Sequence, residues 1–168
     1  MDIDKLTKDT IENGGVLAFI YFDLHASKKE TLQELGAAVV QKILGEEGVV
    51  YALGEIDEPI ENNNLLSSSI EVKILVKGFQ NLAKICGNYS PFSIEIIRPN
   101  EIKMSIDKAH ATLMDISTNN YELKKLVLEK VYTKDDLEKF KKTIDARIQI
   151  GKKLLENLEK KEYPEKKE

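Results

Sequence analysis

The stretch "GNYSPFSIEIIRPNE" (Gly87–Glu101) holds a short apolar run, Phe92 to Ile97, with a proline just outside each end. Its β-branched and aromatic residues read as a strand. Proline cannot donate to a sheet ladder, so Pro91 and Pro99 confine pairing to the residues between them and mark the strand as one that lies at a sheet edge. Which sheet would put its last strand there is decided by the elements on either side.

Upstream, a short amphipathic segment (Ile3, Leu6, Ile11) ends at Gly14-Gly15 and reads as a helix with its stop. "GVLAFIYFDLHAS" (Gly15–Ser27) is a first strand. Ser27 and Glu30 have capping-box spacing, and Leu32, Leu35, Val39 and Ile43 recur at helical spacing until Gly45 and Gly48. "VVYALGEI" (Val49–Ile56) is a second strand, followed by a polar connection, Glu55–Asn64. Ile70, Val72, Ile74 and Val76 alternate with polar residues in a third strand, and Leu82, Ile85 and Cys86 mark a short helix before the run that opened this reading. The order βαββαβ predicts an α+β, ferredoxin-like sandwich: an antiparallel sheet in spatial order 4-1-3-2 with both helices on one face. That order puts the proline-bounded fourth strand at an edge.

In the first strand Val16, Ala18, Ile20, Phe22 and Leu24 share one face and Leu17, Phe19 and Tyr21 the other, by the period of two. Three large apolar groups on the second face, each worth roughly 1.5–3 kcal/mol when buried, require a cover. Past Ser105 the period becomes helical: Ile106, Ala109, Leu113, Ile116, Asn120, Leu123 and Val127 form one arm. Thr133 and Asp136 cap a second, carrying Leu137, Phe140, Ile144, Ile148, Gly151, Leu155 and Leu158. Each arm of this C-terminal helical hairpin would run about 37 Å at the helical rise. The hairpin, or a second subunit, is the expected cover of the sheet, and Leu126, Leu128 and Leu154 on the outward sides of the hairpin point to an oligomer. Asn119-Asn120 is either a kink in the first arm or the start of a new helix. The expected organisation is therefore a ferredoxin-like domain with a short N-terminal helix over 1–100, the hairpin over 101–161 and a charged tail over 162–168.

The chain has 168 residues with 42% hydrophobic and 32% charged content, enough for a buried core and a charged surface. Met1–Asp4 lacks the basic and apolar regions of a signal peptide, and one cysteine excludes an internal disulfide framework, so a cytoplasmic setting is expected. No apolar run nears the roughly 20 residues that span a bilayer, and no membrane partner is expected. Up to Asn100 there are 9 basic against 15 acidic residues, a balance of −6, and from Glu101 onward 16 against 14, a balance of +2. The acidic front half repels nucleic acid, and the third strand offers Glu71 and Lys73 where an RNA-recognition sheet would carry rings, so no nucleic-acid partner is expected.

In the predicted topology the end of the first strand, the link after the second and the start of the fourth share one edge. That edge gathers His25, Ser27, Glu55, Asp57, Glu58, Ser67, Ser68, Ser69, Tyr89 and Ser90. A helix N-terminus there would favour an anion or carboxylate, with His25, Ser27, Tyr89 and Ser90 as the candidate ligand-binding set. Each also has a structural reading: Ser27 as a cap, Tyr89-Ser90-Pro91 as a turn, His25 as a strand residue. His25 could serve acid–base chemistry, but no nucleophile stands at a diagnostic spacing; His110 and Cys86 read as packing residues. "EIDEPIE" (Glu55–Glu61) lacks the spacing of a calcium loop, no phosphate-cradling or dinucleotide glycine motif occurs, and no metal or cofactor is expected.

The stretches "LLSSSIEVKILVKG" (Leu65–Gly78) and "YSPFSIEIIRPNEIKMS" (Tyr89–Ser105), with the helical segment behind them, resemble a group of small archaeal proteins of unassigned function. The resemblance covers about half the chain and implies a ferredoxin-like domain with a helical extension in a cytoplasmic archaeal setting, with no activity and no functional residues. Amino-acid-sensing ACT domains share the element order, but the glycine they carry after the first strand is missing from "LHASKKE" (Leu24–Glu30). The leading expectation is a non-enzymatic interaction or oligomerisation module that forms a homodimer or higher oligomer or holds a protein partner. A regulatory domain for a small anion or carboxylate is the alternative, and an enzyme of unassigned class the third.

Overall fold

The computed structural model describes residues 2–62, 65–131 and 133–162. Elements follow in the order α1 (Ile3–Glu12), β1 (Val16–Ala26), α2 (Lys29–Leu44), β2 (Val49–Ile56), β3 (Ile60–Asn62), β4 (Leu65–Val76), α3 (Phe79–Tyr89), β5 (Ser93–Arg98), α4 (Ile106–Val131) and α5 (Lys134–Glu162). The result is a mixed α+β structure with one five-stranded antiparallel sheet, in which the path runs β2-β4-β1-β5 and β3 pairs with β4 beyond the end of β2.

β1 lies in the middle because it is apolar on both faces. It pairs with β4 from Val16↔Val76 to Ala26↔Leu66 and with β5 from Leu17↔Arg98 to Tyr21↔Ser93. On the first face Val16, Ala18, Ile20, Phe22, Leu24 and Ala26 form one buried core with Ile70, Val72, Ile74 and Val76 of β4, Leu32 and Ile43 of α2, and Leu82 and Ile85 of α3. Both helices therefore pack on the same face. α2 approaches β2 closely at Gly36 and Gly54, where a Cβ on Gly36 would stand 2.5 Å from the Ile56 side chain and one on Gly54 2.5 Å from that of Val40.

The cover of the second face differs from the expectation in one particular. Leu17 and Leu75, paired across β1 and β4, are buried away from the main core. Tyr51 of β2 stands in register with Leu75, and its hydroxyl lies 3.1 Å from the Thr7 hydroxyl of α1. The N-terminal helix thus roofs this end of the second face. Farther along, Phe19 and Tyr21 are half-buried and share the face with Lys73, Glu71 and Glu95.

Three local corrections follow. The polar link after β2 contains a short strand, β3, and β4 begins at Leu65 rather than near Ile70, because Ser67–Ser69 pair with β1 through their backbones despite their polar side chains. Ser27 is not the cap of α2: Lys28 takes that position in extended conformation, and its side chain makes no cap hydrogen bond. The cap on α5 does form, with the Thr133 hydroxyl donating to Asp136 at 2.7 Å and accepting from the Asp136 N–H at 3.5 Å.

The chain divides into two compact units, Met1–Asn119 and Asn120–Glu168, a division that falls inside α4. Helix α4 itself continues through Asn119 and Asn120. In the first unit, the Asn119 side-chain amide donates to Asn88 at 3.4 Å and crowds Gly87 at the end of α3. In the second, Tyr121 and Phe140 stack with centroids 6.4 Å apart, holding α4 to α5. The expected tail from 163 onward and the side chains of Leu137, Leu154, Leu155 and Leu158 lie outside the described residues.

Candidate functional site

The residues expected to converge at one edge stand on opposite faces of the sheet. His25 follows the β1 alternation onto the second face, where its Nδ1 is 3.0 Å from the Ser67 hydroxyl and its Nε2 3.0 Å from Asp23. Both ring nitrogens are thereby engaged in an exposed polar strip. Next to them Ser69 donates to the Asp57 carboxylate and Ser68 to the Asp57 carbonyl at 2.7 Å, pinning the β2–β3 link to β4. Tyr89 instead packs against the main core and donates its hydroxyl to Glu46, past the end of α2, at 2.8 Å. Desolvation first, and the Glu46 carboxylate second, raise its pKa above 10.0. Ser90 is the C-cap of α3, left-handed at φ 50°, with its N–H bonded to the Cys86 carbonyl. Ser27 is exposed in the turn before α2.

The groove at this edge, about 470 Å3, runs between the first turn of α2 and the β2–β3 link. Glu55, Asp57 and Glu58 line it with Lys29, the one cation among its described lining residues, a field that disfavours an anion. Tyr21, on the second face nearby, donates to Glu71 at 2.9 Å, and that bond, with partial desolvation and the charges of Glu71, Glu95 and Asp57, raises its pKa.

Positive charge collects at the opposite end of the sheet. A cavity of about 330 Å3 is lined by Lys77, Lys103 and Lys108 together with Glu47, the start of α3 and the turns at Gly14, Gly48 and Gly78. Gly48 must be glycine: its φ is +82°, and a Cβ there would collide with the Asn81 side chain, whose amide bonds the Glu47 carbonyl at 3.1 Å. Lys103 is already paired with Glu101 at 3.1 Å. Cys86 is half-buried, with its thiol pKa pushed up by desolvation, and His110 is exposed on α4. Among the described residues no group of three or more His, Cys, Asp or Glu is placed to hold a metal ion, and no helix is long and apolar enough to cross a membrane.

The feature that sequence reasoning did not single out as a site is the surface of β5. As the last strand on the path it is paired, among the described residues, only with β1. Ile94 and Ile96 register with Ile20 and Ala18, on the core side of the sheet, yet remain 45% and 40% exposed. Phe92, just before the strand, is 61% exposed; its N–H donates to the Tyr21 carbonyl at 2.9 Å and its ring lies 6.2 Å from that of Tyr21. The alternation Phe-Ser-Ile-Glu-Ile over 92–96 was the available signal.

Comparison with known proteins gives one family. Residues 17–156 match the model of the MJ0538 family, and the chain belongs to it. The family is named after an uncharacterised protein of Methanocaldococcus jannaschii, in keeping with the resemblance to uncharacterised archaeal proteins. No curated protein and no solved structure matches.

Proposed function

We propose that this member of the MJ0538 family is a non-enzymatic interaction module: a ferredoxin-like unit of an archaeal cytoplasmic protein that presents a sheet edge to a protein partner. The path β2-β4-β1-β5, with α2 and α3 sharing one core, supports the ferredoxin-like label. The observation that carries the function is the surface of β5, where Phe92, Ile94 and Ile96 stay exposed beside an edge free to accept another strand. Strand addition uses this combination: backbone hydrogen bonds supply attachment and alternate side chains supply selectivity. Exposed apolar residues on the helices, Leu113 and Met114 in the first unit and Leu123 and Leu126 in the second, add surface suited to contact.

The test is the native mass of the protein in an extract of its own cells. The module should migrate well above 19.0 kDa, and Ile96→Lys should return it to that mass. Migration at 19.0 kDa without any substitution would sink the reading.

The cavity at Lys77, Lys103 and Lys108 favours a second reading, regulation by a small anion. There, rather than at His25, an added phosphate or sulfate would raise the melting temperature, and Lys77→Ala with Lys108→Ala would abolish the rise. No shift with either anion would remove this reading.

A further inference from the structure

We propose that β5 is the seam of a symmetric dimer, in which a second copy of this chain adds its own β5 antiparallel to the first about a two-fold axis through Ile94. This rests on the interaction-module reading and names its partner. Among the described residues no strand pairs with the outer side of β5, and Ser93–Arg98 are exposed except for Ile97.

The choice of a second copy comes from the pattern of the strand itself. Residues directly opposite in an antiparallel pair point to the same face, so only axes through a residue keep the two faces in phase. With the axis at Ile94 the strand is its own complement: Ile94 meets Ile94 on the core face, and on the other face Ser93 of each copy meets Glu95 of the other, a hydroxyl facing a carboxylate. Phe92, just outside the strand with its ring beside Tyr21, closes each end of the seam.

The neighbouring axes fail on charge and shape. An axis at Glu95 sets two carboxylates directly opposite and Phe92 against Arg98; an axis at Ile96 sets Ile94 against Arg98 and Ser93 against Pro99, which has no N–H. An axis at Ser93 loses the Ile94 pair and places Glu95 against Pro91. The prolines now have a second role. They stop the shared ladder at both ends, so the seam stays short, at the lower end of specific interfaces, and the dimer should dissociate on dilution.

The experiment uses purified full-length protein. Light scattering coupled to size exclusion should show a mass rising from 19.0 kDa towards twice that value across the micromolar range, while Ile94→Lys stays at 19.0 kDa with an unchanged melting temperature. The register is read separately in a Cys86→Ser background. Ile94→Cys should oxidise rapidly to a disulfide-linked dimer, because facing residues in such a pair stand within disulfide reach. Glu95→Cys and Ile96→Cys should link at least tenfold more slowly. A wild-type mass fixed at 19.0 kDa, a dimer indifferent to Ile94→Lys, or faster linking at 95 or 96 would each overturn the proposal. If the purified chain stays at 19.0 kDa while the species in cell extract remains larger, the second copy is the wrong partner and the interaction module stands; 19.0 kDa in both settings overturns both.

Discussion

β1 and β5 are neighbours in one sheet, and both are rich in isoleucine and aromatic residues, yet their surroundings are opposite. Ile20 of β1 is fully buried, while Ile94, its partner in register on β5, is 45% exposed. Two strands flank β1, α2 and α3 cover its first face and α1 covers one end of its second. β5 has β1 on one side and, among the described residues, no strand on the other. Apolar content therefore specifies that a strand seeks burial, and topology decides whether the burying group comes from the same chain.

The sharpest way to break this comparison is to place the same charge at both members of the pair. Ile20→Asp leaves a carboxylate in the core and should cost more than about 4 kcal/mol, abolishing the folded state in denaturant titration. Ile94→Asp should cost no more than about 0.5 kcal/mol in monomer stability. Equal losses at the two sites would show that β5 is covered in solution by something within the chain. Phe19→Asp measures the second face: half-buried between Lys73 and Glu95 in register, it should cost about 2 kcal/mol, between the two extremes. Gly48→Ala tests the turn that leads into β2. A left-handed alanine crowded by Asn81 should lose about 1–2 kcal/mol by thermal unfolding.

The smallest effect belongs to the tyrosines. Tyr89→Phe removes the hydrogen bond to Glu46 and should cost about 1 kcal/mol. Tyr21 and Tyr89 both have folded pKa values raised above the unfolded value of 10.0. Their contribution to stability is therefore complete below pH 10 and is lost as pH rises through the folded values. Tyrosinate absorbance should show a late-ionising phase that shrinks in Tyr21→Phe and again in Tyr89→Phe, and a titration curve that neither substitution changes would contradict both hydrogen bonds.

Periodicity made the main elements legible. The alternation in Val16–Leu24 announced a strand with two apolar faces, and helical spacing located α2, α4 and α5. The proline-bounded run was a strand with one free side. What remained hidden lacked an apolar rhythm. β3 and the first third of β4 pair through backbone groups while showing Ser67, Ser68 and Ser69, so alternation could not reveal them. The roof over Leu17 and Leu75 depends on where a helix settles in three dimensions. For the candidate site, the two-residue period already assigned His25 to the face of Phe19 and Tyr21. Tyr89 was less accessible to inference, because a helical side chain leans back over the preceding turn and so reaches toward Glu46 instead of the strand edge. Lys77, Lys103 and Lys108 are separated in the chain and meet only because β4 ends where the segment after β5 returns.

The central position of β1 also bears on the order in which the protein is made. The strand leaves the ribosome before either of the strands it pairs with: in β4 its nearest partner is Leu66, opposite Ala26, and its farthest is Val76, opposite Val16. At ~5–20 residues per second of synthesis, the 40 to 60 residues between those partners leave this very apolar strand without a sheet for roughly 2–12 s. α2 is completed within that interval and carries Leu32 and Ile43, which belong to the same core. In the nascent chain it is the first element able to lie over the core face of β1 and shield it until β4 arrives.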